Sequence, residues 1–499
     1  MLGVAVVLTT FTVARGYVNS ALWLDEALSV NIAQLPLSEL RGALRVDGSP
    51  PLYYALLHFW IRSFGDGDLQ VRLLSAAFGV LSLPLVWAVG TRLRDRTTGW
   101  CAVLLLAASP FAVHYATEAR MYSLVVLEVL LLGLTVLRAL DTPSVRRLLP
   151  VPVIAALLLY THYWSLFLLA ALGLVLLAHS VRGAAAPSFR RVSVALPLGL
   201  LLFVPWLPTF LYQVRHTGTP WAFPPGIGAL LLTVREWAGG ATASGELLFV
   251  LLLGLIAVGL LGRAARGPDG RAALAVHLPV EPTARALLGI ALGTLVLGVG
   301  TSMALRSGYA YRYSSVALVP GLLLAALGLA TLAPRARLLV LVLVVATAAT
   351  GVVNLQLFTP RTQAAQVVAE LRARLLPGDL VLYCPDQLGP TVSRLLPPGV
   401  DQAVYPSFGH PQRIDWRDYE ARNAAADPVA FGRVAATRTK GAVYLVWQSG
   451  YRTFGTQCQQ LAGELSRAKG SGEQLLMPEQ KYHERHHLDR FPATGAASR

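Results

Sequence analysis

The sequence predicts an all-α polytopic membrane domain of about eleven transmembrane helices, followed by a soluble α/β domain. Three observations carry this expectation. Hydrophobic residues make up 55% of 499 positions and charged residues only 14%, where a soluble chain of this length carries about a quarter charged. Apolar runs of about 20 residues, the length at which a helix crosses the bilayer core with its backbone groups satisfied internally, recur up to residue 356. Beyond that point short apolar strands alternate with amphipathic helices.

In chain order the apolar segments fall at 1–18, 72–91, 99–115, 121–138, 148–162, 164–180, 192–211, 246–262, 286–304, 314–333 and 338–356. Segment 1–18 lacks a basic leading region and a small-residue cleavage site, so it reads as a retained first helix and not as a signal peptide. Basic residues set the orientation. Arg92, Arg94 and Arg96, then Arg146 and Arg147, Arg182, Arg190 and Arg191, Arg263, Arg266 and Arg271, and Arg335 and Arg337 fall in alternate loops, which the positive-inside rule makes cytoplasmic. The net charge of +15 is then mostly a topology signal, and with no long Lys/Arg tract it implies no nucleic-acid partner. Segments 19–71, 116–120, 212–245, 305–313 and 357–499 face outward, and the C-terminus is extracytoplasmic. The expected organisation is a membrane domain over 1–356, with 19–71 as its first external loop, and an extracytoplasmic domain over 357–499.

Within the tail, GDLVLYC, VDQAVY and GAVYLVW read as strands separated by helical stretches, which predicts a small domain with a mostly parallel sheet. The polar stretch 467–499 reads as loosely ordered. Cys101 lies inside an apolar segment and reads as packing. Cys384 and Cys458 both fall in the tail, where an oxidising space allows a disulfide; two buried thiols are the alternative.

The chemistry-bearing residues gather in the outward segments. Asp25 and Glu26 stand together where the first helix leaves the membrane. They read either as a cap and first-turn acid of a following helix or as an acid pair at an interfacial active site. Segments 36–45, with Arg41 and Arg45, and 49–60, with Pro50 and Pro51 before an aromatic-rich run, read as helices lying on the membrane surface. Arg72 opens the second apolar segment, either snorkelling to headgroups or pairing with a phosphate, which its fork of donors suits. His114, Glu118 and Arg120 share one short turn, His162 ends a helix on the same side, and Arg306, Tyr309, Tyr311, Arg312 and Tyr313 fill another. Ionisable groups next to membrane helices are functional hypotheses by default, and their placement at one face favours an interfacial site over a transmembrane ion path. His114 or His162 with Glu118 are candidates to hold a divalent metal. So are His483, His486 and His487, where His483 and His487 have the spacing of one helical face, although a solvated tail is the ordinary reading of such a patch.

LWLDEALSV, SPPLYYALLHFW, VRLLSAAFGVLSLPLV, ASPFAVHYATEARMYSL, LLYTHYWSLFLL and YRYSSVALVPGLLL occur in the order seen in bacterial GT-C glycosyltransferases. Over about residues 1–335 the chain resembles the branch that includes protein O-mannosyltransferases and lipid A aminoarabinose transferases. The resemblance implies a GT-C-like fold and a polyprenyl-phosphate-linked sugar as donor. It implies Asp25 as the catalytic residue, a general base, with Glu26 as the acid beside it, and a basic residue for the donor phosphate, matched here by Arg72, with Arg312 and Arg120 as further candidates. Glu118, His162, His114 and Tyr313 are further active-site candidates. Ser49 stands where relatives often carry His before the Pro-Pro pair, so no role of that His transfers. The expected partners are the lipid bilayer, the lipid-linked sugar and an acceptor glycan, lipid or protein, in a bacterial plasma membrane. A lipid-linked sugar flippase or transporter, or a non-catalytic envelope scaffold, are the alternatives. Transporters tend to show paired halves and broken midplane helices, which the sequence does not display.

Overall fold

The computed structural model describes residues 2–181, 186–266 and 272–494. Arg182 and Arg271, assigned to basic loops above, lie outside the described residues. Every apolar segment is helical, 99–115 being split between two helices. Seven helices among the described residues are long and apolar enough to cross a membrane: Asp68–Leu93, Tyr122–Asp141, Ala186–His216, Ala243–Leu261, Pro282–Ala304, Tyr311–Thr331 and Pro334–Gln356. The pair Arg96–Ala108 and Pro110–Ala116, bent by 58°, makes an eighth. Leu2–Ala14, Pro150–Thr161 and Ser165–Ser180 are helical but shorter. The protein is thus a multi-helix membrane protein.

The first eight helices in the order that matters for the site are α1 (Leu2–Ala14), α2 (Leu24–Ala33), α3 (Leu37–Asp47), α4 (Leu52–Phe64), α5 (Asp68–Leu93), α6 (Arg96–Ala108), α7 (Pro110–Ala116) and α8 (Tyr122–Asp141). The break between α6 and α7 has a clear cause. Pro110 has no N–H to give the Leu106 carbonyl. Arg15, fully buried just past α1, donates instead to the carbonyls of Leu106 and Ala107, both at 3.0 Å, and to Phe11 at 2.8 Å. The freed backbone acceptors are thereby satisfied inside an apolar bundle. The helix Ser315–Thr331 is buried along nearly its whole length. Its close neighbour Ala243–Leu261 approaches through glycines: a Cβ on Gly328 would overlap the Leu255 carbonyl. This central helix carries Arg312 at its entrance.

Segment 19–71 forms the three short helices α2–α4 over one end of the bundle. His58 Nδ1 meets the Ala33 carbonyl at 2.7 Å and ties α4 to α2. Gln213 donates to the carbonyls of Leu44 and Ser49 and holds the α3–α4 turn. At the other end a hairpin pairs β1 (Gly262–Arg266) with β2 (Ala272–Val276) antiparallel.

The tail folds around a five-stranded sheet of β3 (Leu380–Cys384), β4 (Asp401–Val404), β5 (Val443–Trp447), β6 (Glu473–Leu476) and β7 (His487–Phe491), ordered β4-β3-β5-β7-β6. Only the pairings of β3 with β4 and β5 are parallel; β7 runs antiparallel to β5 and β6. The sheet is therefore mixed, not mostly parallel. The difference comes from the stretch 467–499, expected to be loosely ordered, which supplies two strands through 491 and places Leu488 and Phe491 in the core. Cys384 and Cys458 are joined, with Cα atoms 5.5 Å apart. Cys101 is a buried free thiol. The tail sits on α2–α5 and on the loop after His216: Asn31 donates to the Gln412 carbonyl at 2.7 Å, Arg394 faces Asp66 and Asp68, and Arg452 donates to the Ala222 carbonyl in that loop at 2.6 Å.

Candidate active site

Helix α2 begins at Leu24, so Asp25 and Glu26 both lie in its first turn, where carboxylates meet the positive end of the helix dipole. Asp25 is not the N-cap; Trp23 is, and the Glu26 carboxylate accepts from the Trp23 backbone N–H at 3.4 Å. One helical step apart, the two acids point in different directions and meet different environments.

Glu26 is turned inward and is completely buried. Its Oε1 accepts from Arg72 Nε at 2.7 Å and from the Ala119 N–H at 3.0 Å, and its Oε2 accepts from Arg72 Nη2 at 2.6 Å. Arg361 Nη1 stands 3.3 Å from the same oxygen. Burial pushes this carboxyl up, but the charges of Arg72 and Arg361 and the Arg72 hydrogen bonds outweigh it and hold Glu26 below its ordinary value. Arg72 also donates to the carbonyls of Ser20 and Ala21 at 2.8 and 3.1 Å. Arg72 is buried with four of its five N–H donors engaged by Glu26 and the two carbonyls, and Glu26 has no face toward solvent.

Asp25 is turned toward a cleft. Arg312 Nη2 is 3.2 Å and Arg120 Nη2 4.0 Å from Asp25 Oδ2. Neither approach has hydrogen-bond geometry, and Asp25 Oδ2, Arg312 Nε and Arg120 Nε are buried without a hydrogen-bond partner. Arg120 is steered by Ser29 Oγ at 3.0 Å and the Tyr54 hydroxyl at 3.3 Å. Ser49, at the position of the relatives' His, accepts from the same Tyr54 hydroxyl at 3.1 Å. The Arg312 guanidinium lies 4.6 Å over the Trp221 ring, a cation–π contact that fixes its plane.

Glu118 is buried and pairs with His114 Nε2 at 3.3 Å, one helical turn away. Burial pushes Glu118 up, but the His114 hydrogen bond and the charges of His114, Arg361 and Arg312 bring it down to about 2. His162 and Tyr313 stand in an aromatic layer behind the arginines, with ring centres 5.3 Å apart, and His162 Nδ1 accepts from the Trp164 N–H at 3.2 Å. The three tail histidines do not share a helical face. His483 sits edge-on to Trp23 at 5.2 Å, His486 is buried within the tail, and His487 opens β7 and stacks on Trp447 at 4.3 Å. Among the described residues no three His, Cys, Asp or Glu side chains converge as a metal set.

The sequence reading missed the tail's share of this centre. Arg361 donates to the Thr117 carbonyl at 2.9 Å and to Thr117 Oγ1 at 2.6 Å while facing Glu26. Its signal was present: an arginine directly after the last apolar segment, at the level of the other candidate groups. Glu484 lines the same cleft as Asp25 and Arg312, whose volume is about 440 Å³. Its carboxyl is buried, and burial pushes it up to about 8. No local pattern marks Glu484.

Comparison with known proteins follows the same geometry. Residues 48–208 match the family model described as dolichyl-phosphate-mannose-protein mannosyltransferase. No curated protein matches the sequence. Among solved structures, apo ArnT from Cupriavidus metallidurans superposes with a TM-score of 0.65 at 12% identity, over 98% of this chain and 97% of that one. The same protein bound to undecaprenyl phosphate gives 0.60 at 13%, with the same coverage. The arabinofuranosyltransferase AftD from Mycobacteria gives 0.52 at 13%, over 99% of this chain and 40% of that one. The likeness to ArnT thus runs through the tail as well as the helices. The chain has the fold of the GT-C glycosyltransferases, and its residues 48–208 carry the sequence pattern of the dolichyl-phosphate-mannose-protein mannosyltransferase family.

Proposed function

We propose that this protein is a membrane glycosyltransferase that moves a hexosyl or pentosyl group from a polyprenyl-phosphate carrier to an extracytoplasmic acceptor in a bacterial plasma membrane. The observation that carries this reading is Asp25, a carboxylate opening on a cleft between two guanidiniums that are not fully engaged. Two cations around one carboxylate leave positive charge for a phosphate, and Arg312 Nε is a buried donor in want of an acceptor. The undecaprenyl phosphate bound by ArnT supports the choice of carrier.

The chemistry is one inverting displacement. The acceptor hydroxyl gives its proton to Asp25 as its oxygen bonds to the anomeric carbon. The bond from that carbon to the phosphate oxygen breaks, and polyprenyl phosphate leaves as an anion. Arg312, with Arg120 beside it, meets the charge that develops there. Glu26, Arg72 and Arg361 are positioning residues: they lock the first turn of α2, and with it the direction of Asp25.

The test supplies labelled polyprenyl-phosphate sugar to the purified protein and follows release of the lipid phosphate. Asp25→Asn keeps the size of the side chain but cannot take the proton, and should lose about 10²- to 10⁴-fold in turnover while still binding donor. Near-normal turnover by this variant would refute Asp25 as the base. Movement of the lipid across a vesicle without its consumption would favour a flippase instead.

A further inference from the structure

The cleft at Asp25 has two walls. Trp23, Asp25, Trp221 and Arg312 come from the membrane part, and Gln448 and Glu484 come from the tail. Five of these six carry a buried polar atom without a hydrogen-bond partner. Two are donors, Trp23 Nε1 and Arg312 Nε, and three can accept, Asp25 Oδ2, Gln448 Oε1 and Glu484 Oε2. Each such group costs about 1–3 kcal/mol when left unpaired, and unpaired groups gathered around one opening mark a place where a ligand supplies the missing partners.

The pattern restricts what that ligand is. An acyl chain offers no partner to any of the five groups. A phosphate accepts from Arg312 and Trp23 but has no hydrogen to give Asp25 Oδ2 or Gln448 Oε1. A hydroxyl group both donates and accepts, and several hydroxyls on a rigid ring serve donors and acceptors a few ångströms apart. The indole rings of Trp23 and Trp221 offer apolar surface for the C–H face of such a ring. Burial keeps Glu484 protonated to about pH 8, so it adds a donor of its own without adding charge.

Resting on the transferase reading above, we propose that the tail wall of this cleft, Gln448 and Glu484 together with Trp221, is the subsite for the terminal sugar of the acceptor, and that the acceptor is a glycan rather than a protein or a simple lipid. The donor also carries a sugar, but its lipid phosphate ties it to Arg312 and Arg120. The tail wall is then the side left for the incoming ring. A cleft of about 440 Å³ holds more than one sugar ring.

The test reads glycan binding without turnover. Full-length protein in detergent is applied to an array of immobilised bacterial-envelope oligosaccharides with no donor present. Wild type should bind oligosaccharides, and Gln448→Leu and Trp221→Ala should each weaken that binding by about 3- to 10-fold, the range for one lost hydrogen bond or ring contact. In parallel, donor consumption is followed with glycan, peptide and lipid acceptors. A protein that consumes donor and glycosylates the peptide or the lipid, while binding no oligosaccharide, overturns the glycan subsite and leaves the transferase reading intact. Gln448→Leu that raises the donor KM and leaves glycan binding unchanged assigns the tail wall to the donor sugar and also overturns it. Glycan binding that Gln448→Leu weakens, without donor consumption with any acceptor, keeps a sugar site at the tail wall but removes the transferase reading and with it the acceptor role.

Discussion

Replacing Arg72 with alanine would leave the Glu26 carboxylate completely buried with its bidentate partner gone. Two charge-assisted hydrogen bonds, at 2.7 and 2.6 Å, disappear. Arg361 at 3.3 Å and the Ala119 N–H at 3.0 Å remain, so the carboxylate is under-compensated but not isolated. Removing one partner of a buried pair costs about 3–5 kcal/mol, most of it the charge left behind, and the surviving Arg361 contact puts the expected loss at the lower end, about 3 kcal/mol. The carbonyls of Ser20 and Ala21 lose their donor as well. The assay is thermal unfolding in detergent, followed beside donor binding by the same preparation. Arg72→Ala should unfold several degrees earlier. Donor affinity, measured on the fraction still folded, should fall less than it does for Arg312→Ala. Arg72→Lys should recover part of the stability, because an ammonium keeps the charge but not the fork. A variant as stable as wild type that has lost donor binding would refute this assignment and return the phosphate to Arg72.

The other expectations are more local. Arg312→Ala should weaken polyprenyl-phosphate binding by about 10- to 150-fold, the range for one charge-assisted partner, as read by titration with the free lipid phosphate. Glu484 holds its proton up to about pH 8 in the folded chain against an ordinary 4.5. Its contribution to stability is therefore full below 4.5 and lost as pH rises through 8, and Glu484→Gln should flatten that fall in unfolding measured across the window. The Cys384–Cys458 bond closes a separation of 74 residues, so changing both to serine should cost the tail about 4 kcal/mol in the chain-entropy account while turnover of still-folded protein persists.

The helical segments were legible because lipid leaves a crossing chain little choice: each run must be apolar and internally bonded. Asp25 and Glu26 stood out because carboxylates are scarce here, with Asp and Glu together at 27 of 499 residues. Their different environments did not, since these depend on which way each side chain leaves the first turn of α2 and on partners far along the chain. Arg72 illustrates the ambiguity: a guanidinium fork fits a phosphate and a carboxylate equally well, and its actual partner lies 46 residues away. Glu484 was out of reach for the same reason, being placed by tertiary contact, while Arg361 was visible as an arginine soon after the last apolar segment but its partners were not. The last two strands were hidden because EQLL and HLDRF carry polar residues and no β-branched ones, and their place in the sheet comes from pairing beside β5.

The Arg361–Glu26 contact also has a bearing on how the protein is made. Arg72 follows its carboxylate closely and can meet it while the ribosome is still at work, but Arg361 emerges 335 residues after Glu26. At about 5–20 residues per second that interval is on the order of tens of seconds, during which nearly all the helices have entered the bilayer. Synthesis order therefore leaves the first turn of α2 without its full set of partners until the tail begins to emerge. A chain cut short before residue 361 would insert its helices yet leave Thr117 and Glu26 without their final donor.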